Sequence, residues 1–574
     1  MTDLIEIQNL HYRPESLPEE APDILRGISL TFQEGDFVAI IGENGSGKTT
    51  FIKHLNALFI PTTGTVSVAG MDTRGIDHYR KIRSLVGMVF QNPADQIVAS
   101  TVEEDVAFGL ENLNLPTSEI KKGVAAQLEH AGLLTEAERP PHLLSGGQIQ
   151  KLALAGVLAR HPKVILFDEP TSMLDPLTRK SFLDRICRLH QAGKTIFYVT
   201  HHMEEAVYAD RILVFKDGQV KLDGTPEEIF SQQHKLYEIY LDVPESVWFS
   251  QQFHQLGWDL PQTVLTSNAL LDALPAYHGT QIEIEPEKVP AAAEEVIHLK
   301  DVDYTYLSGT PLARKALEGA SLTISEHDIH GIAGTNGSGK STLLQHINGI
   351  LRPERGLVRV LSMTVSAPDM PLREVVKRVG LVFQNPETQF FEIFVGDEIA
   401  YGPKQFDLPD LRQRVHDAMA LVGLDFEDYK DRRLETLSGG EKRKVALAST
   451  LILDPDILLF DEPTAGMDPR ARDDLLALFE SLSGQGKTIL IASHRLDELA
   501  QVSKNLSLMQ SGSVTRSGPT YEILNNTSSL SGVGLAPPLS IRISQALNDK
   551  GWPIAGRDTA TPERLLAVLK EVSA

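Results

Sequence analysis

The sequence contains the stretch Gly42-Glu43-Asn44-Gly45-Ser46-Gly47-Lys48-Thr49-Thr50 and, 292 residues later, the similar stretch Gly334-Thr335-Asn336-Gly337-Ser338-Gly339-Lys340-Ser341-Thr342. Both fit the pattern G-x-x-x-x-G-K-[ST], whose glycines let the backbone turn tightly and point its N–H groups at phosphate oxygens. The helix that follows such a loop adds its positive N-terminal end. In this pattern the two lysines would contact the β- and γ-phosphates of a nucleotide, and Thr49 and Ser341 would each place a hydroxyl on Mg²⁺.

Three further motifs also occur twice, each time 293 residues apart. They are Val89-Phe90-Gln91-Asn92-Pro93 and Val382-Phe383-Gln384-Asn385-Pro386, Leu144-Ser145-Gly146-Gly147-Gln148 and Leu437-Ser438-Gly439-Gly440-Glu441, and Asp168-Glu169-Pro170-Thr171 and Asp461-Glu462-Pro463-Thr464. Motifs that keep their order and spacing in this way predict two copies of one folding unit.

The apolar runs of each copy indicate an α/β fold. In the first copy, Phe37–Ile41, Val164–Phe167 and Thr195–Thr200 are short apolar runs, and each leads into a polar residue or motif. Unbroken runs of this length suit strands that are buried on both faces of a parallel sheet. Since open α/β sheets bind ligands at the carboxyl ends of their strands, we expect the motifs to meet at that edge.

An Asp-Glu pair ends one apolar strand in each copy. A carboxylate at the end of a buried strand needs a partner, and Mg²⁺ reached through water is a natural one for Asp168 and Asp461. Capping of the next helix is the alternative. Glu169 and Glu462 would take a proton from an attacking water molecule. The sequence therefore predicts a metal-assisted hydrolytic site in each copy.

A histidine follows another predicted strand in both copies. A lone histidine is more often structural, but His201 and His494 occupy the same position in the repeat, so we interpret them as sensors of the γ-phosphate. The next residue differs between the copies, His202 in one and Arg495 in the other, and we interpret this as local variation.

Gln91 and Gln384 are uncharged side chains that follow an apolar pair. A surface glutamine is the simplest interpretation of either one. Their duplicated F-Q-N-P context favours a role beside Mg²⁺ and the attacking water.

Composition excludes several functional classes. The chain has 54 basic and 77 acidic residues, a net charge of −23, which disfavours bulk binding to nucleic acid. Its one cysteine, Cys187, cannot form an intramolecular disulfide. No signal peptide is visible, and no run of about 18 apolar residues could span a bilayer. A role at a membrane would require other chains.

Together these motifs resemble those of the ATP-binding-cassette (ABC) ATPases. Gly42–Thr50 and Gly334–Thr342 are similar to Walker A, Ile165–Asp168 and Leu458–Asp461 to Walker B, Leu144–Gln148 and Leu437–Glu441 to the signature sequence, and Met173–Asp175 and Gly466–Asp468 to the D-loop. The resemblance implies an α/β fold with two ABC-type P-loop nucleotide-binding domains, and an ATPase that uses ATP and Mg²⁺.

In that family two cassettes close head to tail, with ATP held between the Walker A loop of one and the signature of the other. The resemblance therefore implies an intramolecular cassette dimer. One site would pair Lys48 with the signature Ser438, Gly439, Gly440 and Glu441. The other would pair Lys340 with Ser145, Gly146, Gly147 and Gln148.

The family also places an aromatic ring against adenine, upstream of Walker A. Tyr306 fits this place in the second copy. In the first copy the residue that matches Tyr306 is Pro14, and Tyr12 lies two residues earlier. Tyr12 is therefore the candidate for adenine stacking in the first site because it is nearby, although it does not match Tyr306.

Within the family, the chain resembles the ATPases of energy-coupling factor importers, which transport vitamins and transition-metal ions. The similarity lies in Phe90–Ile97 with Thr101–Gly109 and in Phe383–Phe390 with Gly396–Gly402. It implies a transmembrane coupling protein and a small substrate-capturing membrane protein as partners, and a peripheral place on the cytoplasmic face of the cell membrane. Asp95–Val98 and Thr388–Phe391 would contact the coupling protein, or else pack internally.

Each copy also has a tail, since Gly257-Trp258 and Gly551-Trp552 repeat 294 residues apart. The predicted organisation is a first nucleotide-binding domain (1–240) with a small C-terminal subdomain (241–280), an acidic proline-containing linker (281–295), and a second nucleotide-binding domain (296–525) with its own small subdomain (526–574).

Two other functions are compatible with tandem cassettes. Tandem cassettes that act on ribosomes are expected to carry a long charged helical arm between the cassettes, whereas this linker contains Pro286 and Pro290. The ATPase of a sugar importer would differ only in its membrane partner, and the residues around Gln91 and Gln384 disfavour this alternative.

Overall fold

The computed structural model describes residues 3–15, 21–113, 115–172, 174–277, 294–310, 313–465, 467 and 469–573. The chain divides into two compact units, Met1–Leu274 and Pro275–Ala574.

The first unit alternates strands and helices along most of its length. Its strands are β1 Ile5–Tyr12, β2 Leu25–Phe32, β3 Phe37–Gly42, β4 Thr63–Val68, β5 Met71–Asp72, β6 Val86–Val89, β7 Val164–Asp168, β8 Thr195–Val199, β9 Arg211–Lys216 and β10 Gln219–Gly224. Its helices are α1 Lys48–Leu55, α2 Tyr79–Leu85, α3 Val102–Glu111, α4 Thr117–Ala131, α5 Gly146–Leu158, α6 Pro176–Gln191, α7 Met203–Ala206, α8 Pro226–Phe230, α9 Gln233–Glu238, α10 Glu245–Gln255 and α11 Ser267–Ala273.

The described strands of this unit form two sheets. The larger has the order β10-β9-β3-β8-β7-β6, in which β10 is antiparallel and the other strands are parallel. Every residue of β3, β7 and β8 is buried, as expected for strands covered on both faces. The parallel sheet confirms the α/β prediction. The smaller sheet, β2-β1-β4-β5, is antiparallel and was not predicted.

The second unit repeats this order of elements. Its strands are β11 Glu295–Tyr306, β12 Arg314–Ser325, β13 Ile329–Ala333, β14 Arg355–Val360, β15 Met363–Thr364, β16 Val379–Val382, β17 Ile457–Asp461, β18 Thr488–Ser493, β19 Asn505–Gln510 and β20 Ser513–Pro519. Its helices are α12 Lys340–Ile347, α13 Leu372–Arg378, α14 Val395–Gln405, α15 Leu411–Leu421, α16 Phe426–Tyr429, α17 Gly439–Leu451, α18 Pro469–Gly484, α19 Leu496–Val502, α20 Thr520–Asn525, α21 Thr527–Gly532, α22 Leu539–Asp549 and α23 Pro562–Ser573.

The sheets of the second unit have the same topology. The larger follows the order β20-β19-β13-β18-β17-β16 and the smaller the order β12-β11-β14-β15. Each strand therefore has a counterpart in the first unit, which confirms the predicted repeat.

A layer of helices in the first unit has its own apolar cluster. Val102 and Val106 of α3, Leu128 of α4 and Leu152 of α5 are buried together. This cluster positions the start of α5, where the signature-like motif begins.

The first compact unit ends at Leu274, inside the predicted subdomain 241–280, and the predicted domain bounds stay a prediction. Residues 275–277 belong to the second unit, where Trp552 Nε1 donates to the Pro275 carbonyl at 3.0 Å. Glu295, the last residue of the predicted linker 281–295, is the first of β11. Residues 281–293 lie outside the described part of the chain. In that described part, no helix is long and apolar enough to cross a membrane.

Candidate nucleotide site

The glycine-rich loop joins β3 to α1, and its glycines are required by close packing. Gly47 has a φ of 102°, and a Cβ there would lie 2.9 Å from Leu25 Cδ2. Gly339, its counterpart before α12, has a φ of 106°, and its Cβ would lie 2.7 Å from the Ala316 carbonyl oxygen. Only glycine fits both the left-handed backbone and the space, so the loop keeps its shape through these residues.

The lysine after each of these glycines is folded back into the loop. Lys48 Nζ donates to the carbonyls of Gly42 and Glu43, both at 2.8 Å. Lys340 Nζ donates to the carbonyls of Gly334 at 2.7 Å and Thr335 at 3.2 Å. Both lysines are buried. A buried ammonium group that has mainly carbonyl partners fits an anion as an additional partner.

A serine in each loop supports this interpretation. The hydroxyls of Ser46 and Ser338 are buried without a hydrogen-bond partner among the described residues. Buried polar groups are normally hydrogen-bonded, so an orphaned hydroxyl in a phosphate-binding loop fits a phosphate oxygen. The loops therefore fit a nucleotide.

The carboxylates that end β7 and β17 lie where Mg²⁺ would bind. Thr49 Oγ1 donates to Asp168 Oδ1 at 2.8 Å. Burial raises the pKa of Asp168 to about 6, and it raises the pKa of Asp461 to about 6 as well, with a partial offset from a Ser341 hydrogen bond. Mg²⁺ is typically held by one or two carboxylates together with waters and phosphate oxygens. The hydroxyl and carboxylate oxygens of each unit are suitable ligands for Mg²⁺.

The two glutamates that follow have a strained backbone. Glu169 has a φ of 44° and Glu462 a φ of 46°. Non-glycine residues in this region cost about 1–3 kcal/mol and cluster at functional sites. Each backbone N–H donates to the neighbouring strand, Glu169 to the Val199 carbonyl at 3.0 Å and Glu462 to the Ala492 carbonyl at 2.8 Å. This turn brings each glutamate to the end of the adjacent strand.

In the first unit the structure brings together three of the predicted catalytic residues. Gln91 Nε2 donates to Glu169 Oε2 at 3.0 Å, and His201 Nδ1 lies 3.3 Å from the same oxygen. Burial raises the pKa of Glu169, but the His201 hydrogen bond and the nearby positive charges more than offset it, so the pKa falls below its ordinary value. Glu169 is therefore an ionised carboxylate that can accept a proton.

The second unit has the same glutamate–histidine pair with a different third member. His494 Nδ1 lies 2.9 Å from Glu462 Oε2, and Lys340 Nζ lies 3.3 Å from Glu462 Oε1. Against the effect of burial, these partners lower the pKa of Glu462. Gln384 accepts a hydrogen bond from Arg443 through its backbone carbonyl at 3.4 Å, so the role of its amide side chain stays a prediction.

The model of the ABC transporter family matches residues 25–172 and again residues 317–465. The chain belongs to this family. Both matches include the phosphate-binding loop and the Asp-Glu pair, so each unit is an ABC cassette. The chain is an ATP-binding and ATP-hydrolysing subunit of an ABC transporter.

Full-length and half-length relatives both exist. A Caldanaerobacter subterraneus protein named as an ABC transporter ATP-binding protein is 32% identical over 91% of this chain and 93% of its own length. The energy-coupling factor transporter ATP-binding protein EcfA1 of the same organism is 45% identical over 47% of this chain and 99% of its own length. EcfA1 of Symbiobacterium thermophilum is 49% identical over 44% of this chain and 88% of its own length.

Each ABC signature motif begins a helix with a capping box. Ser145 precedes α5, and its backbone N–H donates to Gln148 Oε1 at 2.9 Å. Ser438 precedes α17, and its backbone N–H donates to Glu441 Oε2 at 2.7 Å. A Cβ at Gly146, Gly439 or Gly440 would meet no atom within 4 Å, whereas at Gly147 it would lie 3.1 Å from Thr178. The first turn of each helix is therefore largely open to an anion.

The glutamate that replaces glutamine in the second signature has charged and polar partners. Tyr429 donates to Glu441 Oε1 at 2.7 Å, and Arg432 Nη1 lies 3.3 Å from the same oxygen. These partners offset burial, so the pKa of Glu441 falls below its ordinary value. Its added charge is balanced within the cassette.

The two tyrosines that were expected to stack on adenine lie in different surroundings. Tyr12 stacks on Phe59 with ring centroids 5.1 Å apart and meets His54 edge to face. In the second cassette it is Tyr304 that meets the equivalent His346 in this way. Tyr12 therefore matches Tyr304, in agreement with the predicted match of Pro14 with Tyr306. Tyr306 places its hydroxyl 3.3 Å from Thr342 Oγ1, at the end of the phosphate-binding loop, and adenine stacking by either tyrosine stays a prediction.

The D-loops are only partly described. Asp175 caps α6 by accepting from the Thr178 backbone N–H at 3.1 Å. Met173, Gly466 and Asp468 lie outside the described residues.

The segment after each F-Q-N-P motif exposes apolar side chains. Val98 is 64% exposed, and Phe391 is 75% exposed and stacks on Tyr401. A buried carboxylate holds each loop. Asp105 accepts from the Val98 backbone N–H at 2.9 Å, and Glu398 accepts from the Phe391 backbone N–H at 2.8 Å.

In the first cassette this loop borders a groove of about 250 Å³. Its lining includes Leu58, Met88, Phe90, Val98, Phe108 and Arg160. The expected alternative, that these segments pack internally, does not account for the exposure of Val98 and Phe391.

Proposed function

We propose that this chain energises a membrane importer of the energy-coupling factor type, which transports a vitamin or a transition-metal ion. The sequence similarity to two EcfA1 proteins, which covers 99% and 88% of their lengths, supports this choice. Since the relatives of that name match about half of this chain, the two cassettes would do the work of two separate subunits.

The chemistry would occur once in each cassette. Lys48 and Lys340 would bind the β- and γ-phosphates, and Glu169 and Glu462 would take the proton of the attacking water. His201, His494, Gln91 and Gln384 would position the γ-phosphate and the water. Mg²⁺ would be held by Asp168 and Thr49 in the first cassette and by Asp461 and Ser341 in the second. It would stabilise the negative charge on the phosphoryl oxygens.

ATP would be held between the two cassettes of the chain, with Lys48 opposite Ser438 and Lys340 opposite Ser145. The open first turns of α5 and α17 support this role, because backbone N–H groups at a helix start attract phosphate. Such closure does mechanical work only if ATP binds the closed state much more tightly than the open one.

The observation that carries the membrane assignment is the exposed apolar loop after each F-Q-N-P motif. Exposed apolar side chains that are grouped beside a groove mark an interaction site. Asp105 and Glu398 hold these loops by equivalent backbone hydrogen bonds in both cassettes. We propose that they contact a transmembrane coupling protein, which associates with a small substrate-capturing membrane protein and keeps this chain at the cytoplasmic face.

The test is co-purification of the tagged full chain from detergent-solubilised native membranes. We expect a polytopic membrane protein and a small apolar membrane protein with the wild type, and the loss of both in the Val98→Asp/Phe391→Asp double variant with ATPase activity retained. Ile76→Asp, a change at an apolar residue that is 79% exposed outside these loops, is the matched control. Ribosomal proteins in place of membrane proteins would contradict the proposal.

A further inference from the structure

A buried glutamate joins the two loops that carry the proposed base and γ-phosphate sensor of the first cassette. Glu205 of α7 is 2% exposed. It accepts hydrogen bonds from Thr171 Oγ1 at 2.6 Å, Tyr198 OH at 2.9 Å and Thr200 Oγ1 at 2.7 Å. Thr171 lies two residues after Glu169, and Thr200 directly precedes His201. One carboxylate therefore connects the end of β7 with the end of β8.

The donors to this carboxylate are themselves held in place. Burial keeps the pKa of Tyr198 well above its ordinary value, so its phenol stays protonated and donates. The Thr200 backbone N–H donates to the Ile40 carbonyl at 3.1 Å, and Thr200 Oγ1 accepts from the His202 backbone N–H at 3.0 Å. The connection therefore reaches β3 as well as the residues on both sides of the sensor histidine.

The second cassette keeps the carboxylate but, among the described residues, only one of the three hydroxyl donors found in the first. Glu498 is buried, accepts from Thr464 Oγ1, and lies 2.8 Å from Arg495 Nη1. Ile491 stands where the first cassette has Tyr198, so the phenol is missing. Arg495 stands where the first cassette has His202. At the position of His202, which the sequence presented as local variation, Arg495 adds a guanidinium beside this carboxylate.

We propose that Glu205 and Glu498 are positioning residues for ATP hydrolysis, each keeping the glutamate and the histidine of its own cassette in the arrangement that hydrolysis requires. The proposal rests on the roles proposed above for Glu169, Glu462, His201 and His494. Buried polar networks hold a single geometry when every member is satisfied, and exchange of the carboxylate for an amide leaves donors facing a donor. The hydroxyl donors to Glu205 come from the ends of β7 and β8, and Arg179 Nε of α6 lies 3.7 Å from its carboxylate. None of these partners belongs to the phosphate-binding loop, so the loop should still bind ATP.

The test uses the full chain with the Glu205→Gln/Glu498→Gln double change. We expect kcat to fall about tenfold or more, because small displacements of catalytic groups have effects of this size, while the Kd for ATP changes by less than about twofold. Glu204→Gln, which alters the exposed neighbouring carboxylate, should leave both values unchanged. Unchanged kcat per folded molecule in the double variant would overturn the proposal.

A second set of variants covers the case in which the double variant does not fold. Tyr198→Phe removes one hydroxyl donor, and Arg495→Lys and Arg495→Ala weaken and remove the guanidinium contact. We expect reduced kcat at constant Kd, with Arg495→Lys retaining more activity than Arg495→Ala. Equal activity of all three variants and the wild type would overturn the proposal. Hydrolysis that survives in Glu169→Gln/Glu462→Gln would instead overturn the proposed role of these glutamates as bases, on which this proposal rests.

Discussion

The ammonium group of Lys340 lies 3.3 Å from the carboxylate of Glu462, so the phosphate-binding lysine of the second cassette is paired with the proposed base. Both side chains are buried, where breaking an ion pair is costly unless another charge replaces the lost one. A γ-phosphate supplies that replacement charge. ATP binding would thus release the glutamate from the lysine as it engages the lysine.

Removal of Lys340 should therefore affect both the binding of the γ-phosphate and the ion pair with Glu462. In Lys340→Ala we expect ATP affinity of the second cassette to fall about tenfold or more, the equivalent of about 1.4 kcal/mol. Titration with a fluorescent ATP analogue measures it, with Lys377→Ala, a change at an exposed lysine of the same unit, as control. Unaltered affinity in Lys340→Ala would contradict the assignment of the lysine.

The shape of the phosphate-binding loop can be tested separately from its charge. Ala at Gly339 would need a left-handed backbone and would bring its Cβ to 2.7 Å from the Ala316 carbonyl oxygen. Gly486→Ala shares the left-handed backbone, at a φ of 88°, but its nearest atom is 3.5 Å away. The left-handed backbone should cost each variant about 1–2 kcal/mol of unfolding free energy, and Gly339→Ala should lose more because of its close contact with the backbone. Only Gly339→Ala should also weaken ATP binding, and equal binding by the two variants would argue against a required close approach.

His54 on α1 predicts an acid sensitivity of the first cassette, and burial lowers the pKa of the equivalent His346 as well. Burial lowers its pKa from 6.5 to about 4, so the folded chain keeps the ring neutral while the unfolded chain protonates it. The stability associated with the neutral ring is present above pH 6.5 and is lost as the pH falls toward 4. At pH 5.5 the loss is about 1.4 kcal/mol.

The measurement is chemical unfolding of the wild type and His54→Asn between pH 7 and pH 5, a range set by this pKa shift. We expect the variant to lose less stability on acidification, because Asn gains no proton. His234→Asn, which removes a histidine whose side chain is 90% exposed, should retain the wild-type slope. An identical slope in all three proteins would contradict the neutral, buried state of His54.

The phosphate-binding loops and the parallel sheets could be predicted because their information is local. Gly47, Lys48 and Thr49 occur at fixed spacing after an apolar run, and unbroken runs such as Phe37–Ile41 indicate strands buried on both faces. Because the chain contains two copies of the unit, each of these motifs and runs could be found twice. The ends of these strands were predicted to within one residue, since the polar motifs follow them directly.

Other features depend on contacts that are distant in sequence. The left-handed backbone of Glu169 occurs together with a hydrogen bond to the Val199 carbonyl, thirty residues away, and the sequence has no local signal for either. Glu205 reads as an ordinary acidic residue of a helix, and only the fold shows that three hydroxyls converge on it.

The most direct test of the account is ATP turnover by the Glu169→Gln/Glu462→Gln double variant. An amide cannot accept the proton of the attacking water, so we expect hydrolysis to fall about a hundredfold or more. ATP binding should persist, because Lys48 and Lys340 are retained, and Glu204→Gln should hydrolyse ATP at the wild-type rate. Turnover at the wild-type rate by the double variant would contradict the assignment of the two glutamates as the bases of this ATPase.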